Sequence, residues 1–244
     1  MIPQDPLQLG QHFLNDEEII QKMVEVADLK DEDVVLEPGF GQGSITRHLA
    51  KKCRVIAVEI DKTLTIDLSD VEVVHANALD LIKTRSFSVM VANPPFTMLE
   101  PLVKRMFPKK TCTRLVLVMS KSFAEILHSD RKLGMLVRSV YAIEQVCDVS
   151  RSSFYPPPDT DCVVVKLVRR SEEDKTVFER VLTELACQQD KKIKNALEKF
   201  YEGLLTKRQV QAKLEIVSNI VGKGVMTISE DKFDELCDAL KHIE

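Results

Sequence analysis

No two cysteines in the chain are spaced as C-x-x-C, and no apolar run reaches the roughly 20 residues needed to cross a bilayer. Cys53, Cys112, Cys147, Cys162, Cys187 and Cys237 are scattered over 244 residues. That pattern excludes a zinc knuckle and a dense disulfide framework, and reads as reduced thiols lying mostly in a core. Residues 1–9 lack the basic, apolar, small-residue order of a secretory signal. Internal repeats and low-complexity tracts are absent as well. A soluble, unexported, cytoplasmic protein with no membrane partner is therefore expected, and a chain of this length can bury its own core.

A large excess of either charge is also lacking, since the net charge is −4. The charges are nevertheless segregated. Residues 1–103 carry 9 Lys and Arg against 17 Asp and Glu, whereas residues 104–138 carry 9 against 2. Residues 166–213 are basic again, 12 against 8, and residues 214–244 are acidic, 3 against 7. The two basic segments suit a polyanion if they share a face, and are otherwise ordinary solvated helix faces.

Along the chain, apolar patterning predicts alternating strands and helices. Asn15 to Glu18 is a helix start, followed at helical spacing by Ile19, Ile20, Met23, Val24 and Ala27 to about Leu29. Asp33–Glu37, Arg54–Glu59, Val71–His75, Val89–Ala92, Leu115–Met119 and Cys162–Val168 read as strands of a mostly parallel sheet. Ser44–Lys52 and Lys121–Leu127 have helical pattern between them. Beyond Arg170 the strand-like runs stop, and Lys175–Cys187, Ile193–Leu205, Arg208–Val221 and Asp231–Ile243 read as helices. The expectation is an α/β domain over residues 1–170, a hinge at Ser171–Asp174, and a small helical domain over residues 171–244.

Two motifs carry chemistry. Glu37-Pro38-Gly39-Phe40-Gly41-Gln42-Gly43 places glycines at alternate positions after a strand, so that backbone can approach a ligand where a Cβ would collide. Glu59, about 20 residues on at the end of the next strand, can accept both hydroxyls of a ribose. This spacing differs from the dinucleotide fingerprint and is the S-adenosylmethionine arrangement. A tight strand-to-helix turn would account for the glycines alone. Asn93-Pro94-Pro95-Phe96 then sets a side-chain amide, a proline-flanked carbonyl and an aromatic ring at a strand end, a trio able to hold an amino group on a flat ring. By itself that tetrapeptide is also compatible with a proline turn.

With Gly10-Gln11-His12-Phe13-Leu14, Glu59-Ile60-Asp61 and Phe154-Tyr155-Pro156-Pro157-Pro158-Asp159-Thr160-Asp161, these motifs resemble the rRNA adenine N6-dimethyltransferase family, the KsgA and Erm group. The resemblance covers nearly the whole chain. Gln188–Leu197 is similar to a family element in the helical tail. It implies a Rossmann-like S-adenosylmethionine-dependent methyltransferase domain, with His12, Leu14, Gly39, Gly41, Glu59, Asn77 and Asn93 lining the cofactor site. It implies that Asn93 and the Pro94 carbonyl accept the two hydrogens of an adenine amine while Phe96 stacks on the flipped base. No metal is required.

On this reading substrate delivery falls to the basic segments: Lys104, Arg105, Lys109, Lys110 and Arg114 near the site, with Lys191, Lys192 and Lys194 on the tail, are expected to grip RNA phosphates. The expected partner is small-subunit rRNA or a pre-ribosomal particle, met by a monomer. Four positions depart from the family pattern. Pro94 replaces a leucine, Phe96 a tyrosine, Asn77 an aspartate, and Asp190 a basic residue. Asn77 implies weaker cofactor affinity, because a neutral amide oxygen accepts less strongly than a carboxylate. Two other readings stand beside this one at the level of sequence: a methyltransferase acting on DNA adenine or a protein glutamine amide, and a pre-rRNA-binding assembly factor with weak catalysis.

Overall fold

The computed structural model describes residues 11–202, 204–216 and 224–241. Gly10 and the expected helix ends at Val221 and Ile243 lie outside the described residues. The chain forms two compact units, one through Glu125 and again over Ile143–Arg169, the other over Ile126–Ala142 and the described residues from Arg170 onward.

The first unit is built on a seven-stranded sheet. After the short strand β1 (Phe13–Leu14) and helix α1 (Glu17–Val26) come β2 (Val34–Pro38), α2 (Thr46–Leu49), β3 (Arg54–Glu59) and β4 (Val71–His75). Then follow α3 (Ala78–Thr84), β5 (Val89–Ala92), α4 (Phe96–Met106), β6 (Arg114–Ser120) and α5 (Lys121–His128). After α6 (Lys132–Val140), strands β7 (Tyr141–Val149), β8 (Phe154–Tyr155) and β9 (Cys162–Arg169) complete the strands.

The sheet order is β4-β3-β2-β5-β6-β9-β7. β2 to β6 pair in parallel, and β9 runs antiparallel to β6. This is the mostly parallel, Rossmann-like sheet read from the sequence. Strand order reverses between β2 and β5, so the loops after their carboxyl ends diverge and leave a crevice where ligands bind in such sheets.

Burial explains why these segments are strands. β5 is buried at all four positions, and Val35, Leu36, Val55, Val89, Val91, Val116 and Val118 are fully enclosed. Sheets covered on both faces select such unbroken β-branched runs. Each fully buried Val or Leu contributes roughly 1.5–3 kcal/mol against exposure. Asp16 starts α1 by accepting hydrogen bonds from the Glu18 and Ile19 amides. The expected helix at Ser44–Lys52 is shorter, with only Thr46–Leu49 helical. Its first residues instead extend the turn that the left-handed Gly43, at φ +77°, continues.

β1 and β8 form a separate antiparallel pair, with Phe13 opposite Tyr155 and Leu14 opposite Phe154. Leu14 and Phe154 are buried in the core of this unit, beside Val149 and Cys162. The six cysteines are free thiols, Cys112, Cys162 and Cys237 being buried.

The second unit contains α6, α7 (Val177–Cys187), α8 (Ile193–Tyr201), α9 (Lys207–Ile216) and α10 (Glu230–Lys241). The tail part of this unit begins at Arg170, near the expected boundary, and the unit also takes in Ile126–Ala142, which packs with the tail helices. The Thr183 hydroxyl donates to the Ser139 carbonyl at 2.8 Å, and Lys132 Nζ donates to the Ile228 carbonyl at 2.5 Å. A capping box between Thr176 and Glu179 starts α7. Among the described residues, no helix is long and apolar enough to cross a membrane.

Candidate active site

The carboxyl ends of β2, β3, β4 and β5 open on a cavity of about 260 Å³. Every residue named for the cofactor or the reaction lines it: His12, Leu14, Gly39, Gly41, Glu59, Asn77, Asn93, Pro94 and Phe96. Phe13, Glu37, Phe40 and Ile60 line it too and had been given no such role. Phe13 and Glu37 stood inside motifs that pointed to them. Phe40 and Ile60 stood inside them as well, in Glu37–Gly43 and Glu59–Asp61.

The glycine loop leaves β2 with Gly39 at φ +73° and Gly41 at φ +54°, the left-handed region that side chains resist. At Gly41 a Cβ would also come within 2.9 Å of the Phe13 ring, so this position is closed to other residues by space as well as by torsion. The turn brings the loop backbone to the cavity, with the Gly39 and Phe40 amides both donating to the Val58 carbonyl.

Glu59 is only 4 % exposed, and three amides bind it, one from the glycine loop and two from the residues that follow β3. Gly41 donates to Oε2 at 3.1 Å, and Ile60 and Asp61 donate to Oε1 at 2.8 and 3.1 Å. A carboxylate has about four acceptor positions, so one is left for a ligand hydroxyl, and a second becomes free if Gly41 turns its amide to the ligand.

Asn77 caps α3, its Oδ1 accepting from the Leu79 amide at 2.9 Å. An amide oxygen has a second lone pair, so capping and ligand contact are compatible.

Asn93 follows β5, and its Nδ2 donates to the His12 carbonyl at 2.7 Å. A carbonyl only accepts, so this bond fixes which end of the amide is nitrogen and turns Oδ1 the other way. The His12 ring stacks on Phe96 with centroids 5.9 Å apart and planes inclined by 30°. Its Nδ1 bonds the Pro156 carbonyl at 2.8 Å. His12 thus holds the Asn93–Phe96 segment directly and links it to Pro156 of the Phe154–Asp161 run. An oriented amide oxygen beside an aromatic ring can hold a flat amine and polarise it by accepting its hydrogens.

Glu37, at the end of β2, is fully buried, and its Oε2 has no hydrogen-bond partner. Burial pushes its pKa up from 4.5 to about 8; Thr46 opposes the rise and the Glu59 charge adds to it. Below pH 8 the folded protein therefore holds a proton that the unfolded chain releases above pH 4.5. The folded state binds more protons across that window, so this group lowers stability as pH rises from about 4.5 to 8. Urea unfolding at several pH values should show Glu37→Gln losing that part of the slope; parallel wild-type and variant curves would refute it.

The basic segment expected beside the site lies elsewhere. Arg114 pairs with Val89, the first residue of β5, whereas Asn93 follows the last. α4 starts at the site and runs back along the sheet, as a helix after a parallel strand must, and so carries Lys104, Arg105, Lys109 and Lys110 away to the opposite edge. There Arg114 is paired with Asp33 at 2.6 Å and with Asp28, Lys109 donates to the Arg85 carbonyl, and Lys104 pairs with Glu100 at 2.5 Å. Of the tail cations, Lys191 and Lys192 are exposed, and Lys194 is 3.9 Å from Glu198.

Residues 5–230 match the family described as ribosomal RNA adenine dimethylase. The chain is 33% identical to ribosomal RNA small subunit methyltransferase A of Thermotoga neapolitana, over 85% of this chain and 86% of the relative. It is 30% identical to the probable ribosomal RNA small subunit methyltransferase A of Methanococcus aeolicus, over 96% of both. Among solved structures it resembles a dimethyladenosine transferase from Plasmodium falciparum, with TM-score 0.63, 24% identity and 95% and 98% of the two chains covered. It also resembles the 23S rRNA methyltransferase ErmE, with TM-score 0.60, 25% identity and 94% and 99% covered. The cavity fits S-adenosylmethionine, the cofactor of this family, in having a glycine loop that a Cβ would obstruct and a buried carboxylate at the next strand end. A match along nearly the whole chain, on a sheet whose crevice gathers the family's motif residues, makes the protein a member of the ribosomal RNA adenine dimethylase family.

Proposed function

We propose that the protein transfers methyl groups from S-adenosylmethionine to N6 of adenines in small-subunit ribosomal RNA, two to each adenine, as a cytoplasmic monomer acting on pre-ribosomal particles. The observation that carries this reading is the Asn93 amide, held by the His12 carbonyl so that its oxygen is free for an amine beside Phe96. The relatives' names supply the small-subunit RNA.

Bound in the cavity, the cofactor supplies an electrophilic methyl group. Glu59 holds its ribose, the Gly39–Gly41 backbone passes close to it, Asn77 meets its base edge, and His12 and Leu14 flank it. The adenine amine is a poor nucleophile because its lone pair is conjugated with the ring. Asn93 Oδ1 and the Pro94 carbonyl accept its two hydrogens and favour tetrahedral nitrogen, while Phe96 stacks on the base and fixes the line of attack. Phe96 keeps the stacking face of the family's tyrosine.

Purified protein incubated with labelled S-adenosylmethionine and unmethylated small subunits should yield N6,N6-dimethyladenine at mapped positions. Label in protein or DNA instead would contradict the proposal. Lys191, Lys192 and Lys194 grip phosphate in this reading. Lys191→Glu should weaken particle binding and lower the slope of log affinity against log salt by about one. An unaltered slope removes the tail from the RNA surface.

A further inference from the structure

We propose that Tyr155 is a stacking platform for the nucleobase adjoining the adenine that enters the cavity, and so a positioning residue for the RNA. The proposal rests on the adenine-methylating reading above. Tyr155 is 70 % exposed, more than any other large hydrophobic side chain among the described residues, and it is the only aromatic one in that exposed group.

It is not on a loose loop. It stands opposite Phe13 in the β1–β8 pair, where opposed residues share a face and the neighbouring pair takes the other. Leu14 and Phe154 occupy the buried face. Tyr155 and Phe13 therefore share the outer one, and Phe13 lines the cavity. The next residue, Pro156, accepts from the His12 ring, which stacks on Phe96. An exposed ring is thus tied, by a directly opposed residue on one side and by the next residue on the other, to the groups proposed to hold the target base.

The chemistry of flipping supplies the partner. Extruding one base removes a stacking neighbour from the next base along the strand, which then presents an open face. Aromatic side chains recover such faces in single-stranded RNA, independently of base identity. A large aromatic ring held in water at the rim of the cavity matches that need.

Steady-state methylation of unmethylated small subunits tests this with Tyr155→Ala, Tyr155→Phe and Tyr155→Leu. Alanine should raise KM for the particle about 10-fold or more, with kcat within about twofold and S-adenosylmethionine affinity unchanged. Phenylalanine should behave as wild type and leucine as alanine, because only the former keeps a π face. An alanine variant with the wild-type KM, or full rescue by leucine, would overturn the proposal alone. A wild-type protein that methylates no adenine in these subunits would overturn the underlying reading and the proposal with it.

Discussion

Asn93→Ala should lower kcat for methyl transfer by about 100-fold to 1,000-fold, while S-adenosylmethionine affinity changes only a few-fold. The magnitude is that of removing one fixed hydrogen-bonding group aimed at charge that develops in a transition state. The side chain does two things in this structure: Nδ2 is bound to the His12 carbonyl, and Oδ1 is thereby aimed away from it. Asn93→Asp separates them. The carboxylate keeps an acceptor for the amine, but it cannot donate to the His12 carbonyl and places two acceptors 2.7 Å apart. Aspartate should therefore be nearly as inactive as alanine, and should also loosen the amino-terminal segment, seen as faster amide exchange at His12 and Phe13. An aspartate variant with wild-type turnover would show that the orienting bond is dispensable. Single-turnover rates at saturating cofactor, with binding measured separately by calorimetry, give the two quantities apart.

Glu59→Ala has the second large effect, and it falls on binding. Once Gly41 turns its amide to the ligand, two charge-assisted hydrogen bonds to ribose hydroxyls contribute roughly 1.5–3 kcal/mol each, so affinity for S-adenosylmethionine should drop about 100-fold or more. The structure adds a cause that ribose contact alone does not supply. Gly41, Ile60 and Asp61 all donate to this carboxylate, and alanine leaves three amides without their acceptor. The glycine loop should lose definition as well as its ligand contact. Glu59→Gln separates these contributions. Its single oxygen can keep the Ile60 and Asp61 bonds, but its NH2 would face the Gly41 amide, donor against donor. Glutamine should bind cofactor with intermediate affinity and unfold at a temperature between alanine and wild type. Unchanged affinity in the alanine variant would remove Glu59 from the ribose site.

Strands β3, β4 and β5 have the limits read from the chain, Arg54–Glu59, Val71–His75 and Val89–Ala92. The reason is local. β3 and β5 lie inside the sheet, where a parallel strand covered on both faces must be a nearly unbroken apolar run, and β4, at the edge, is marked by Val71, Val73 and Val74. The alternating glycines, Glu59 and Asn93-Pro94-Pro95-Phe96 were legible for a related reason. Each is a residue type whose backbone freedom, charge or amide has few structural substitutes at a strand end, so its chemistry shows without its neighbours.

β1 and β8 were not legible. Each is two residues long, too short for any periodicity, and each exists because the other lies opposite it across some 140 residues of chain. β7 was missed because Glu144, Gln145 and Asp148 interrupt its apolar positions. The cations Lys104 to Arg114 were placed by their nearness in sequence to Asn93, and the return of the chain along α4 reversed that nearness in space. Ile126–Ala142 joined the tail helices through contacts that its own sequence does not announce.

The sequence by itself determined the sheet and the cofactor class and singled out the motif residues that line the cavity, because those follow from short runs of unusual residues. Only the tertiary structure decided which atom of Asn93 bonds the His12 carbonyl, that Glu59 also binds three backbone amides, and that Tyr155 stands exposed opposite Phe13. Those depend on partners far along the chain, such as the His12 carbonyl 81 residues before Asn93, and a hydrogen bond is specified by position and direction that local composition does not encode.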